Sequence, residues 1–156
     1  MNTIKYDNIL TIIDNNGINI NDIKEEYIKL LSELTNVEEL SDDDFYNKIK
    51  EITKLGIIVV VYYEDNNKIC IIGSGTVLYE PKIIRNGKYV AHIEDIVVDE
   101  NHRGCGIGKT IVNNLINYSK EKECYKIILN CSNDLISFYE KIGFMKQNNG
   151  MSLYFI

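Results

Sequence analysis

The stretch "HIEDIVVDENHRGCGIGKTIV", residues 92–112, decides the fold. It begins as a β-branched strand, crosses the basic, glycine-rich turn Arg103–Gly108 and continues as a helix. Glycines let such a turn present its backbone N–H groups to a ligand, and the following helix directs its positive dipole end at the same point. Arg103 and Lys109 add two cations. The stretch therefore predicts a strand–loop–helix site for a pyrophosphate.

Two familiar nucleotide-binding loops do not fit this turn. A P-loop requires GxxxxGK[ST], and the spacing from Gly104 to Lys109 is one residue short of it. A Rossmann loop requires GxGxxG, whereas Gly104–Gly108 reads GxGxG. The remaining alternative is a glycine-rich helix start that binds no ligand.

The flanking sequence alternates between strand and helix patterns. The predicted strands are Ile9–Asp14 (closed by a turn at residues 15–17), Ile57–Tyr63, Lys68–Leu78, Tyr89–Val98, Lys126–Cys131 and Met151–Phe155. The predicted helices run from a cap at Asn21 to Leu34, from a cap at Ser41 to Gly56, from the glycine loop to about Glu121, and over about Leu135–Ile142. Gly73 and Gly75 predict a bulge or a close backbone approach. This order predicts an α/β fold, with a mixed sheet that is antiparallel early and has crossovers late.

Length and composition limit the function. A chain of 156 residues fits one domain, 1–156, with a substantial core. The net charge of −6 argues against a nucleic-acid partner, which would favour a basic surface. The longest apolar run, Ile57–Tyr63, is too short to span a membrane, and the N-terminus lacks a signal-peptide layout. We therefore expect a cytoplasmic protein.

The cysteines predict no metal site. None forms a CxxC pair, and none has zinc-like spacing with His92 or His102. We expect reduced thiols, with a disulfide as the alternative. The residues concerned are Cys70, Cys105, Cys124 and Cys131.

The pattern Arg-x-x-Gly-x-Gly after an acid-bearing strand resembles the acetyl-CoA loop of the GNAT superfamily of N-acetyltransferases. The resemblance implies a GNAT fold with antiparallel N-terminal strands, a parallel splayed pair at the acetyl-CoA site and flanking helices. It implies that the pantetheine arm lies between the splayed strands and that acetyl-CoA is the co-substrate. The residues it assigns to acetyl-CoA are Ile96, Val97, Val98, Arg103, Gly104, Cys105, Gly106, Ile107, Gly108, Lys109 and Tyr139.

Four co-linear blocks narrow the resemblance. "HIEDIVV", "GCGIGK", "CYKIILNC" and "FYEKIGF", within Ala91–Phe144, are similar to the eukaryotic glucosamine-6-phosphate N-acetyltransferases. The similarity is weaker earlier, at "ELTNVEELSDDDF", Glu33–Phe45. This implies acetylation of glucosamine 6-phosphate on the route to UDP-N-acetylglucosamine, by a homodimer with its sites at the interface. The residues it assigns to the amino-sugar phosphate are Thr35, Lys82, Arg85, Glu94, Asp95 and Asn130.

The residue types fit direct acetyl transfer. A carboxylate such as Glu94 can take a proton from the sugar amine, directly or through water. The neutral amine then attacks the thioester, with backbone N–H groups near Ile96–Val98 stabilising the oxyanion. Tyr139, which the resemblance places at the thioester sulfur, is the proton donor to the leaving thiolate. A covalent role for Cys131 is the alternative.

Several assignments remain open at the level of sequence. Glu94 and Asp95 are adjacent on a strand and should face opposite sides, so a bulge or a second subunit is needed to bring both to one cleft. If neither is present, one of them is a salt-bridge partner. Lys82 and Arg85 fit a solvated turn equally well.

The sequence also departs from the family pattern. Asn130 stands where the family has an acid, and Tyr154 stands where the family has a phosphate-binding arginine. These changes predict a weaker demand for the 6-phosphate. Two other functions remain as alternatives: acetylation of another small amine or a protein amine, and binding of acetyl-CoA without turnover.

Overall fold

The computed structural model describes residues 3–15, 18–147 and 149–155. The strands are β1 (Lys5–Asn8), β2 (Gly56–Asp65), β3 (Lys68–Pro81), β4 (Tyr89–Val98) and β5 (Cys124–Ile128). The helices are α1 (Ile9–Ile13), α2 (Ile20–Leu31), α3 (Asp42–Leu55), α4 (Ile84–Gly87), α5 (Ile107–Glu121) and α6 (Ile136–Glu140). Short 3-10 turns precede the glycine loop, at Glu100–His102, and α6, at Asn133–Leu135.

The strands form one mixed sheet in the order β1-β2-β3-β4-β5. Strands β1 to β4 pair with one another antiparallel, whereas β4 and β5 are parallel. The predicted hairpin strands and the parallel crossover through α5 are therefore confirmed. Among the described residues, no helix has the length and apolar character needed to cross a bilayer.

Helices cover both faces of the sheet because each presents an apolar stripe at helical spacing. On one face, α2 and α3 pack Tyr27, Leu30 and Phe45 against β2 and β3. On the other face, Ile111 and Leu115 of α5 are fully buried against the same two strands. Burying side chains of this size contributes about 1.5–3 kcal/mol each. Sandwiched between these layers, β2 and β3 are buried on both sides.

Of the two N-caps predicted for α2 and α3, one is confirmed and one is wrong. Ser41 caps α3 as predicted, because its Oγ accepts from the N–H of Asp44 at 3.1 Å and donates to the Asp44 carboxylate at 2.7 Å. The predicted cap at Asn21 is wrong, since Asn19 caps α2 by accepting from the Asn21 N–H at 3.0 Å. The helix also ends at Leu31 rather than Leu34, and Leu34 is exposed.

The predicted strand Ile9–Asp14 is wrong. Residues Ile9–Ile13 form α1, and the strand precedes them as β1. Asn8 starts the helix, because its side chain accepts from the N–H of Leu10 at 3.0 Å. Ile9 and Ile12 are buried and lie three residues apart, which fits the helical period. A short apolar run of this kind fits a strand equally well, so periodicity alone does not decide between the two. Part of the turn predicted after it, at residues 16–17, lies outside the described residues.

The C-terminal predictions need two corrections. Strand β5 is Cys124–Ile128 rather than Lys126–Cys131, and helix α6 is the shorter Ile136–Glu140. The predicted last strand, Met151–Phe155, is absent from the described residues of this segment, whose side chains are exposed. Its alternating apolar residues have the strand pattern, but a strand also needs a neighbour to pair with.

Candidate active site

Strands β4 and β5 separate partway along their length. Their parallel pairing runs from Tyr89–Cys124 to His92–Ile128 and stops there, although β4 continues to Val98. Within the described residues, the edge of β4 beyond His92 therefore has no strand partner on the β5 side. The splayed parallel pair is confirmed, and the gap exposes backbone donors and acceptors to which an extended ligand can bind as an added strand.

A β-bulge interrupts β4 directly beside this gap. On β3 the register advances two residues, from Ser74 to Thr76, while on β4 it covers the three steps between Val97 and Glu94. The extra residue in β4 places Asp95 in a left-handed conformation, with φ of 52°. Gly75 lies opposite, and a Cβ there would stand 2.4 Å from the Cδ1 of Ile96. The close approach predicted at Gly75 is confirmed.

The bulge turns the two adjacent acids toward one cleft. Glu94 and Asp95 both line a cavity of about 280 Å³ on the α2–α3 face of the sheet. Regular alternation would have sent them to opposite faces. The backbone of a single chain thus places both acidic residues in the lining of one cleft, and both residues are exposed.

Three polar residues that line this cleft were not identified as site residues from the sequence: Tyr27, Lys48 and Thr76. The hydroxyls of Tyr27 and Ser74 share a hydrogen bond of 3.2 Å beneath it. Burial, and to a smaller extent the negative charge of Asp95, raise the pKa of Tyr27 to about 12, so this phenol stays protonated. Tyr27 lies on the apolar stripe of α2, so its spacing predicts a core residue. Nothing in that spacing predicts that its hydroxyl group lies at the cleft.

The glycine loop is open in front of helix α5. Gly104 and Gly106 have φ values of 79° and 81°, a left-handed region that favours glycine. A Cβ at either position would meet no protein atom within 4 Å. Gly106 is the N-cap of α5, whose first N–H groups have no partner within the helix. The arrangement is the one that binds anions at helix N-termini.

Arg103 does not point into this open space. Its guanidinium forms an ion pair with Glu33, and its Nε donates to the carbonyl of Val98 at 2.9 Å. The arginine therefore fixes the beginning of the loop to the end of β4 and to the segment after α2. Lys109, the third residue of α5 and so within its first turn, is exposed.

Tyr139 lines a second, larger cleft of about 600 Å³ beside β5, together with Asn130 and Cys131. Its ring packs edge-on against Phe138 and Phe144, with centroids 4.9 and 5.8 Å away. Burial raises the pKa of the Tyr139 phenol, and nearby Cys131 adds to the effect. The group is thus a protonated phenol at neutral pH. Asn130 lies in this cleft and not in the one that contains Glu94.

Besides Asn130, three further predicted substrate residues do not line the Glu94 cleft of their own chain. Thr35 is exposed beyond the end of α2. Lys82 forms an ion pair with Glu80, and the Arg85 guanidinium lies 5.7 Å from the centre of the Tyr125 ring. Arg85 also has a left-handed backbone, with φ of 58°. The structure does not bring these three together with the two acids.

Comparison with known proteins gives a consistent result. Residues 21–144 match the acetyltransferase (GNAT) family. A glucosamine 6-phosphate N-acetyltransferase from Arabidopsis thaliana is 38% identical over 141 residues, covering 88% of this chain and 93% of that protein. Another, from Trypanosoma brucei brucei, is 37% identical over 128 residues, covering 81% of this chain and 86% of that one.

Solved structures agree with the sequence relatives. The crystal structure of glucosamine-6-phosphate N-acetyltransferase from Arabidopsis thaliana superposes with a TM-score of 0.83 at 34% identity and covers 99% of both chains. An acetyltransferase from Trypanosoma brucei superposes with a TM-score of 0.82 at 31% identity, covering 98% of this chain and 100% of that one. The splayed strands, the open glycine loop and these relatives lead to one conclusion: the chain belongs to the acetyltransferase (GNAT) family, among the glucosamine 6-phosphate N-acetyltransferases.

Proposed function

We propose that residues 1–156 form one N-acetyltransferase domain that transfers the acetyl group of acetyl-CoA to the amine of glucosamine 6-phosphate. The product is N-acetylglucosamine 6-phosphate, on the route to UDP-N-acetylglucosamine in the cytosol. The observation that carries this proposal is the β4 bulge, which turns Glu94 and Asp95 into one cleft beside the free edge of the same strand.

The coenzyme site follows from the backbone. The amides of Gly104–Gly108 and the first turn of α5 bind the pyrophosphate, since they are unobstructed donors at the positive end of a helix. The pantetheine arm pairs with the edge of β4 at Ile96–Val98. Among the described residues, no cluster of His, Cys, Asp and Glu could hold a metal ion, and the reaction proposed here needs none.

The chemistry then proceeds by direct transfer. Glu94 accepts a proton from the sugar ammonium, and the amine lone pair attacks the thioester carbonyl carbon. Backbone N–H groups of Ile96–Val98 stabilise the oxyanion. The carbon–sulfur bond breaks with its electron pair on sulfur, and Tyr139 donates its proton to that thiolate. The second proton on the attacking nitrogen leaves through water and restores the Tyr139 phenol, which gives the neutral amide. Asp95, beside the neutral hydroxyl of Tyr27, holds the sugar in place.

We also propose a homodimer with the sites at its interface. Thr35, Lys82 and Arg85 do not line the Glu94 cleft of their own chain, and in this proposal a second copy supplies groups that bind the sugar phosphate. The tail also offers apolar surface for such a contact, since Met151, Phe155 and the residues between them are exposed.

Release of free thiol tests the proposed function. The purified protein is mixed with acetyl-CoA and glucosamine 6-phosphate, and the thiol is followed with a colorimetric reagent. Steady release that depends on the sugar supports the proposal. Release only with other small amines or peptide amines would assign a different acceptor. Binding of acetyl-CoA without release of free thiol would indicate that the protein binds the coenzyme but catalyses no transfer.

Replacing Tyr139 by phenylalanine should lower kcat about 100-fold, because a positioned proton donor contributes roughly 10²–10⁴. Packing against Phe138 and Phe144 is kept, so the KM for acetyl-CoA should change little. The raised pKa of Tyr139 means that wild-type kcat should fall only above pH about 10, the ordinary pKa of tyrosine. Tyr6→Phe, a surface change on β1, is the control. An unchanged kcat in Tyr139→Phe would remove this residue from the mechanism.

The 6-phosphate of the sugar should increase kcat/KM less in this protein than in an enzyme that binds it with an arginine. Tyr154 supplies no charge, and an Arg–phosphate contact contributes roughly 1.5–3 kcal/mol, or about 10- to 100-fold. We expect kcat/KM for glucosamine 6-phosphate to exceed that for glucosamine by less than about 10-fold. Steady-state kinetics with both sugars measure this ratio, and a preference well above that range would contradict the hypothesis.

A further inference from the structure

We propose that Glu33 is a positioning residue for the coenzyme loop and that the C-terminal end of α2 thereby supports both substrate sites. This inference rests on the proposed function, because it assigns the loop at Arg103–Gly108 to coenzyme A. Glu33 touches no substrate in this proposal. It acts through Arg103.

The Glu33 carboxylate holds the segment before the loop at two points. One oxygen pairs with the Arg103 guanidinium, 70 residues away in sequence. The other oxygen accepts the backbone N–H of Glu100 at 3.2 Å. Arg103 in turn donates from Nε to the carbonyl of Val98 at 2.9 Å, so both ends of the stretch from β4 to the loop are fixed.

Glu33 is itself held by the backbone that extends α2. Its N–H donates to the carbonyl of Leu30 at 3.1 Å, and the N–H of Leu34 donates to the carbonyl of Leu31 at 2.9 Å. The side chain of Glu33 is 23% exposed, so it is largely shielded, whereas that of Arg103 is 57% exposed. Glu33 is therefore the less exposed side chain of this surface ion pair.

The same helix forms a wall of the cleft that contains the two acids. Tyr27, Ile28 and Leu31 of α2 line that cleft, and Glu33 follows two residues after the helix ends. A displacement of the end of α2 would thus move the acceptor wall and the anchor of the coenzyme loop together. This gives the ion pair a role that an isolated surface pair lacks.

The expected effect is on loop geometry and not on fold stability. Exposed ion pairs contribute about 0–1 kcal/mol to folding. Left-handed Gly104 and Gly106 give the loop conformational freedom, and the anchor at Arg103 restricts it on the N-terminal side. Without the anchor, binding must order the loop, which should weaken coenzyme affinity about fivefold.

Calorimetry with coenzyme A tests the inference. Glu33→Gln should raise the Kd about threefold to tenfold while the melting temperature stays within about 2 °C of wild type. Glu64→Gln is the matched control, since it removes another exposed ion pair, with Lys5, on the far strands of the sheet. Its Kd should equal that of the wild type. An unchanged Kd in Glu33→Gln, or a tighter one because Arg103 is released to bind phosphate, would overturn the inference.

A double-mutant cycle separates positioning from direct binding. If Glu33 acts through Arg103, then Arg103→Gln and the double variant should bind coenzyme A as weakly as Glu33→Gln, with no further loss. Additive losses would mean that Arg103 binds the coenzyme on its own, and the inference would fail. Failure of the proposed function looks different, since the wild-type chain itself would then not bind coenzyme A.

Discussion

Gly106→Ala should bind coenzyme A about 10- to 100-fold more weakly than the wild-type chain, while its melting temperature falls by only a few degrees. The affinity estimate corresponds to loss of one charged hydrogen bond, at about 1.5–3 kcal/mol, from a backbone amide to the pyrophosphate. The added Cβ would stand in open space in front of α5, where the ligand is proposed to lie. Left-handed alanine costs roughly 1–2 kcal/mol, hence the small change in melting temperature.

Gly87→Ala is the matched control for this experiment. Gly87 has a φ of 70°, close to that of Gly106, and a Cβ there would also meet nothing closer than 3.8 Å. It lies in α4, between β3 and β4 and outside the glycine loop. Its backbone strain is therefore the same while its coenzyme affinity should match the wild type. Equal affinity losses in the two variants, measured by calorimetry, would show that the loop amides do not bind the coenzyme.

Glu94→Gln should lower kcat by about 10²–10⁴, the usual contribution of a positioned general base. Glutamine keeps the size of the side chain and its place on the bulge, so the KM for acetyl-CoA should change little. The variant has no base to remove the ammonium proton. Its residual rate should therefore rise with pH as more of the sugar amine becomes neutral in solution.

Stopped-time thiol assays across a pH series measure both effects. Glu64→Gln at the end of β2, which removes only the exposed ion pair with Lys5, is the control, with an expected kcat equal to that of the wild type. A Glu94→Gln variant that retains kcat at neutral pH would transfer the role of base to another group. Asp95, which shares the cleft, is the next residue to test.

The central strand–loop–helix segment was predictable because several local signals agree there. The β-branched run of β4, the glycines at 104 and 106 and the helical spacing of α5 each favour the same structure. The cap of α3 was predictable for the same reason, since Ser41 and Asp44 satisfy each other locally. Short Ile9–Ile13 lacks that agreement. Its apolar residues fit either period, and the cap at Asn8 decides for the helix.

The parts of the site that depend on residues distant in sequence were harder to predict from the sequence. The bulge at Asp95 is fixed by the register of β4 against β3, so the sequence indicated the conflict between Glu94 and Asp95 without resolving it. The ion pair between Arg103 and Glu33 joins segments 70 residues apart, and no local pattern points to it. The buried hydroxyl of Tyr27 was hidden by its place on an apolar stripe.

Because the pairing between β4 and β5 is short, bound acetyl-CoA would also stabilise the structure at this point. Among the described residues, the backbone pairing of these two strands runs only from Tyr89 to His92, and beyond it β5 and α6 are held by side-chain packing in the core. A pantetheine chain lying in the gap would extend that pairing, and departure of the spent coenzyme would shorten it again. In each catalytic cycle, binding of the coenzyme would then stabilise the attachment of β5 and α6, and its release would weaken it. The rate of coenzyme release would therefore depend on the local stability of this C-terminal segment.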